Sequence, residues 1–165
     1  MSLRTDRTHI DSIIDFFMNE AAERGKIAVI STVASGAAMD NAAQLATCTY
    51  TSISGQTPLG VLMNDMVDID LTRQHENWHK DEVVKGGKVT IWTKGTVVTD
   101  RIYPGHTPTA GQVAYLAPSG FIGNALVQTD SDVATSRHKF TVGKFMTTKD
   151  EDGFVNFYVN LPNIG

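Results

Sequence analysis

From residue 85 onward the chain is a succession of short runs rich in valine, isoleucine and threonine, each broken from the next by glycine or proline. Lys85-Gly86-Gly87-Lys88 reads as a turn. Residues 89–94 and 96–102 follow as the two best strand candidates, separated by Gly95, which marks either a break or a bulge in one long strand. Pro104-Gly105 and Pro108 with Gly111 then bracket a hairpin pattern, in which residues 112–116 and Phe121-Ile122 flank Ala117-Pro118-Ser119-Gly120. Residues 140–147 and 154–161 form a second pair of runs around a turn ending in Asp152-Gly153. Alternating runs joined across Asp-Gly predict a hairpin. Many short strands with regular turn signals predict a mainly β fold, a small barrel or sandwich.

Upstream, residues 27–33 are a short β-branched run, residues 34–44 a turn-rich loop, and residues 45–53 a threonine-rich strand. Residues 59–63 form an apolar run, and residues 66–71 alternate apolar and acidic, the mark of a half-buried strand. The amino-terminal segment reads differently. Ile10, Ile13, Ile14, Phe17, Ala21 and Ala22 recur at helical spacing, Thr8 and Asp11 resemble a capping box, and Gly25 suits a helix end. This predicts an amphipathic helix over residues 8–24, preceded by an extended arm, residues 1–7. The expected division is an arm and helix over 1–25 and one β-barrel-like domain over 26–165.

A chain of 165 residues is long enough for one such core. Its net charge of −4, with no basic block, predicts no nucleic-acid partner. No apolar run approaches the roughly 18 residues that cross a bilayer, so no membrane partner is expected. One cysteine, Cys48, excludes an internal disulfide framework, and the polar opening residues predict a protein made in the cytosol without a signal peptide.

Few residues offer chemistry. His75-Glu76-Asn77-Trp78-His79 spells H-E-x-x-H, a zinc-protease pattern when it lies on a helix. Here it lies between a strand-like run and a glycine turn, and no partner completes the ligand set. Asp81, Asp100 and His106 are third ligands only by arbitrary choice. The segment therefore reads as a polar connection whose Trp78 packs on the barrel, and no metal or other cofactor is expected. Asp65, Asp68 and Asp70 read as a solvated face, Asp150 with its neighbours as a turn, and Cys48 as an inert strand thiol.

One resemblance spans residues 57–161. It rests on Pro58-Leu59-Gly60-Val61-Leu62, Gly87-Lys88-Val89-Thr90-Ile91-Trp92-Thr93-Lys94-Gly95-Thr96-Val97, and Pro108-Thr109-Ala110-Gly111-Gln112-Val113-Ala114-Tyr115-Leu116. Val142-Gly143-Lys144-Phe145-Met146 and the last strand complete the order. This order resembles the β-tulip head decoration, or cement, proteins of tailed bacteriophages. Residues 8–24, 71–85 and 128–139 depart from the pattern.

The resemblance implies a non-enzymatic protein on the outer surface of the virion capsid, present in the host cytoplasm during assembly. Its partners would be the major capsid protein and its own copies, as a homotrimer or alternatively a dimer. Leu3, Arg4 and Arg7 of the arm and Trp78 are the contact residues this reading selects. The expected oligomer also draws on the apolar stripe of residues 8–24 and on Trp78 and Phe121 as exposed aromatics. The alternatives are another phage structural protein, of the tail tube or head–tail connector, and a zinc metallopeptidase acting through His75, Glu76 and His79.

Overall fold

The computed structural model describes residues 9–18, 20–30, 47–49, 57–68, 82–125 and 140–161. Among these residues it is mainly β. The strands are β1 (His9–Met18), β2 (Ile27–Ile30), β3 (Thr47–Thr49), β4 (Pro58–Leu62), β5 (Asp65–Val67) and β6 (Glu82–Val84). They continue as β7 (Lys88–Thr99), β8 (Val113–Leu116), β9 (Ile122–Gly123), β10 (Thr141–Phe145) and β11 (Val155–Asn160). Nine of them form one sheet in the order β1-β3-β2-β4-β7-β11-β10-β8-β9, and β5 pairs with β6 in parallel.

The sheet is nearly closed because β7 is long enough to be shared. One edge of β7 carries β1, from His9↔Thr96 to Phe17↔Lys88. The pairings β1–β3, β3–β2, β2–β4 and β4–β7 lead back to β7, so these five strands form a closed circuit. β7 also pairs with β11 over Lys94 to Thr99. The remaining strands return towards β7 through a bridge between Ile102 and Ile122, tied by Tyr103 N–H to Ile122 O at 2.9 Å.

Two cores result, on opposite faces of β2, β4 and the first half of β7. Ile27, Val29, Val61 and Trp92 join Leu116, Val142, Phe145, Phe157 and Val159 in the larger core. Ala28, Leu62 and Ile91, their neighbours in sequence, join Met18, Met66 and Val89 in the smaller one. A strand buried on both faces has no solvent side to mark with polar residues. This is why β4 is buried at every position and its sequence runs apolar without alternation. β11 is covered mainly on one face, and its burial does alternate over most of its length.

Several expectations hold. The hairpin of β8 and β9 pairs Leu116 with Ile122 around a 3-10 turn at Pro118–Gly120. β10 and β11 form the antiparallel pair expected at the carboxyl end. Asp150 O accepts from Gly153 N–H at 3.1 Å and Asp150 Oδ1 from Phe154 N–H at 2.6 Å, so these residues make a turn, as expected. Residues 89–99 are one strand, and Gly95 sits within it at φ 141° without interrupting the β11 ladder. The irregularities in this region fall in the β1–β7 pairing, between Ile10 and Ile13.

The helix is not found: residues 9–18 are the strand β1. The helical spacing was genuine, but Ile10, Ile13, Ile14, Phe16 and Phe17 are β-branched or aromatic and favour a pleated surface. Pairing along β7 supplies the backbone hydrogen bonds that an isolated helix would have made internally. Phe16 and Met18 pack in the smaller core, while Asp15, just before them, is exposed. Asp15 accepts from Thr90 Oγ1 at 3.1 Å and pairs with Lys88 at 3.1 Å. Hydrogen bonding to Lys88, then to Thr90, holds its carboxyl below the ordinary aspartate range.

Phe121 is also not an exposed aromatic. It is half-buried, with the Lys26 ammonium 4.5 Å from its ring centre and Tyr103 edge-on at 6.3 Å. Two premises of the expected oligomer, the helical stripe and an exposed Phe121, therefore fall away. The third, Trp78, lies outside the described residues.

Candidate functional site

Among the described residues, a cleft is built on the segment that leaves β1. Ala22 exchanges backbone hydrogen bonds with Met66 of β5, at 3.1 and 2.7 Å. Arg24 N–H donates to Asp65 Oδ1 at 2.8 Å, and Gly25 N–H to Leu62 O at 2.8 Å. Thr99 Oγ1, buried at the end of β7, donates to Gly25 O at 3.2 Å and accepts from Arg101 N–H at 3.1 Å. One short segment is thereby pinned to β4, β5 and β7, and its side chains are held in register with Arg101.

The cleft has a volume of about 610 Å³. Glu23, Arg24, Lys26, Asp65, Glu82 and Arg101 line it together with Ala22, Met66 and Val67. Arg24 pairs with Asp65 at 3.6 Å. At the other side Glu23 spans two cations, Lys26 Nζ at 3.6 Å and Arg101 Nη1 at 3.2 Å. Arg101 Nε also faces Asp100 Oδ1 at 3.3 Å. The Lys26 side chain is only 9% exposed, whereas Glu23 is 56% exposed.

Burial penalises the charged form of Lys26 and pushes its ammonium pKa below the ordinary 10.5, the charge of Arg101 adds to this, and Glu23 opposes it. The sign of the pH effect follows. Between the folded value and 10.5 the unfolded chain binds more protons, so stability rises with pH across that window. As pH falls through the folded value, that gain is lost. In Lys26→Met this rise should disappear, so the gap in stability between the two proteins should change as the pH is raised towards 10.5. Urea unfolding of both proteins at a series of pH values measures it.

Chemically the cleft offers two adjacent cations, one of them deeply buried, beside an apolar floor. Carboxylates face these cations: Glu23 lies across Lys26 and Arg101, and Asp65 holds Arg24. Among the described residues no group of three or more His, Cys, Asp or Glu is placed to hold a metal ion.

The residues selected from sequence fare unevenly. Leu3, Arg4, Arg7 and Trp78 lie outside the described residues, as do His75, Glu76, His79, Asp70 and Asp81. Of the other imagined ligands, Asp100 pairs with Arg101, and His106 Nδ1 accepts from Asn124 N–H at 3.3 Å. Asp65 is not part of a solvated face but holds Arg24, while Asp68 is exposed and 4.0 Å from Lys85. Sequence reasoning missed Glu23, Lys26 and Arg101. Their only local signal was a lysine directly ahead of the apolar run Ile27-Ala28-Val29-Ile30.

No protein-family model matches the chain, and no curated protein matches it.

Proposed function

We propose that the chain is a capsid decoration protein of the β-tulip type, which binds the outer surface of an expanded phage head and bridges major capsid subunits. The observation that carries this reading is an order of elements. The five stretches that carry the resemblance fall on β4, β7, β8, β10 and β11, all strands of one sheet. The two glycines it singled out have physical work there. Gly111 takes φ 89° in the turn before β8, and Gly143 lies against the backbone of Tyr158 in β11.

A cement protein strengthens a shell by adding contact area across seams, and many weak contacts act together through avidity. Residues 1–7, with Leu3, Arg4 and Arg7, form the proposed capsid contact together with Trp78. A homotrimer is the proposed assembly.

Co-sedimentation with a panel of emptied, expanded tailed-phage heads stripped of their own decoration protein tests this. The expected result is saturable binding at a fixed ratio to the major capsid protein, with a higher rupture temperature of the head. Deleting residues 1–7 is expected to weaken attachment and leave the circular dichroism spectrum unchanged. Failure to bind any expanded head, or equal binding to unexpanded ones, overturns the reading. Location in tails or connectors of the native particle would support the alternative structural role instead.

A further inference from the structure

We infer that His106 is an acid-sensitive latch on the seam where the sheet closes. The seam is narrow. Ile122 bridges Ile102, its N–H donates to Arg101 O at 3.0 Å, and its carbonyl accepts from Tyr103 N–H at 2.9 Å. Tyr103 O in turn accepts from His106 N–H at 3.0 Å, closing a turn around Pro104 and Gly105. The imidazole then meets the end of β9, where its Nδ1 accepts from the backbone N–H of Asn124 at 3.3 Å. A Cβ placed on Gly123 would lie 2.8 Å from Nδ1 and 3.0 Å from Cε1, so the ring sits directly on the backbone of β9, in space a side chain would fill. Tyr103 meets the same ring edge to face, with centres 5.3 Å apart.

This bond fixes the state of the ring. A ring nitrogen that accepts carries no proton, so the latched imidazole is neutral and holds its hydrogen on Nε2. Protonation puts a hydrogen on Nδ1 facing the Asn124 donor, and the bond is lost. Asn124 Nδ2 also donates to Thr107 O at 3.2 Å and to Gln112 Oε1 at 3.1 Å, and Gln112 Oε1 accepts from Thr109 N–H at 3.0 Å. One residue therefore ties both the imidazole and residues 107–112 to the end of β9, so release of the ring loosens all of them. Histidine is the side chain that changes charge between about pH 5 and 8. Of Tyr103, Gly123 and Asn124, which meet the ring, only Tyr103 titrates, and a phenol carries no charge in that range. The nearby Asp100 pairs with Arg101 at 3.3 Å, and Arg101 also with Glu23 at 3.2 Å. Among the described residues no carboxylate pairs with the imidazole, so its added charge finds no counter-ion that would hold the latch shut.

NMR of the full chain between about pH 8 and pH 5 tests the latch. At the alkaline end, long-range proton–nitrogen correlation of the imidazole should show Nδ1 bare and the proton on Nε2. As the ring takes up its second proton, the Asn124 amide should lose about tenfold in protection from exchange, after correction for the intrinsic effect of pH, the worth of roughly one hydrogen bond. The Asn124 side-chain amide and the Thr109 amide should shift with the same midpoint as the ring, and the Val159 amide in β11 should not. His106→Gln offers an uncharged acceptor at every pH, so the Asn124 response should vanish in it. A proton on Nδ1 at the alkaline end, an Asn124 amide that does not follow the ring, or a response that survives in His106→Gln overturns the proposal. The tautomer and the shared midpoint are read on the parent protein, so they decide the matter even if the variant fails to fold.

Discussion

Phe157→Ala is expected to lower the unfolding free energy by about 3–5 kcal/mol. Phe157 is fully buried near the centre of β11, where its neighbours across the sheet are Val97 on β7 and Phe145 on β10. Its ring stands 6.3 Å from that of Phe145, so truncation removes transfer energy, an aromatic contact and the filling of the larger core together. The strands on both sides are hydrogen-bonded and cannot collapse inward to close the void. A domain of this size has only about 5–15 kcal/mol in hand, so the variant should be marginal at 37 °C. Urea unfolding at 25 °C measures the loss, and a value under about 1 kcal/mol would contradict this account of the core.

The second large effect comes from adding one methyl group. In Gly143→Ala the new Cβ would overlap the carbonyl oxygen of Tyr158, with the carbonyl carbon at 2.8 Å and Val159 Cα at 3.1 Å. All three atoms are backbone of the paired strand β11, so no rotamer change relieves the overlap, and β10 must move away from its partner. Overpacking of this kind costs about 1–3 kcal/mol, and a backbone collision belongs at the upper end. Gly111→Ala is the internal comparison. Its Cβ meets open space, and its cost is that of placing an alanine at φ 89°, about 1–2 kcal/mol. Thermal unfolding should therefore rank Gly143→Ala below Gly111→Ala. The opposite order would mean that the β10–β11 pairing is looser than its register implies.

How much of this fold could be read from the sequence depended on how local the deciding forces were. The strands after residue 85 were legible because the runs, their alternation and their turn glycines are all properties of neighbouring residues. β2 and β4 were legible as apolar runs, although burial on two faces had erased their alternation. β1 was misread because its apolar spacing satisfies a helix, while the partner that makes it a strand lies some eighty residues further along the chain. The cleft was illegible for the same reason. Glu23, Lys26, Asp65, Glu82 and Arg101 meet only after β1, β4, β5, β6 and β7 have assembled, and none of them sits in a recognisable spacing.

The sharing of β7 between both halves of the sheet has a consequence for the order of events during folding. Among the described residues β1 meets β3 only at Phe17 and Met18 and pairs along most of its length with β7, so a nascent chain holds most of β1 unpartnered until residue 96 has left the ribosome. Contacts of such long sequence separation slow folding, and an unpaired apolar strand is a hazard while it waits. Once β7 is seated, loss of either half uncovers a flank of the same strand. Its central amides should then exchange with solvent only when the whole molecule opens, and the two cores should melt as one cooperative unit.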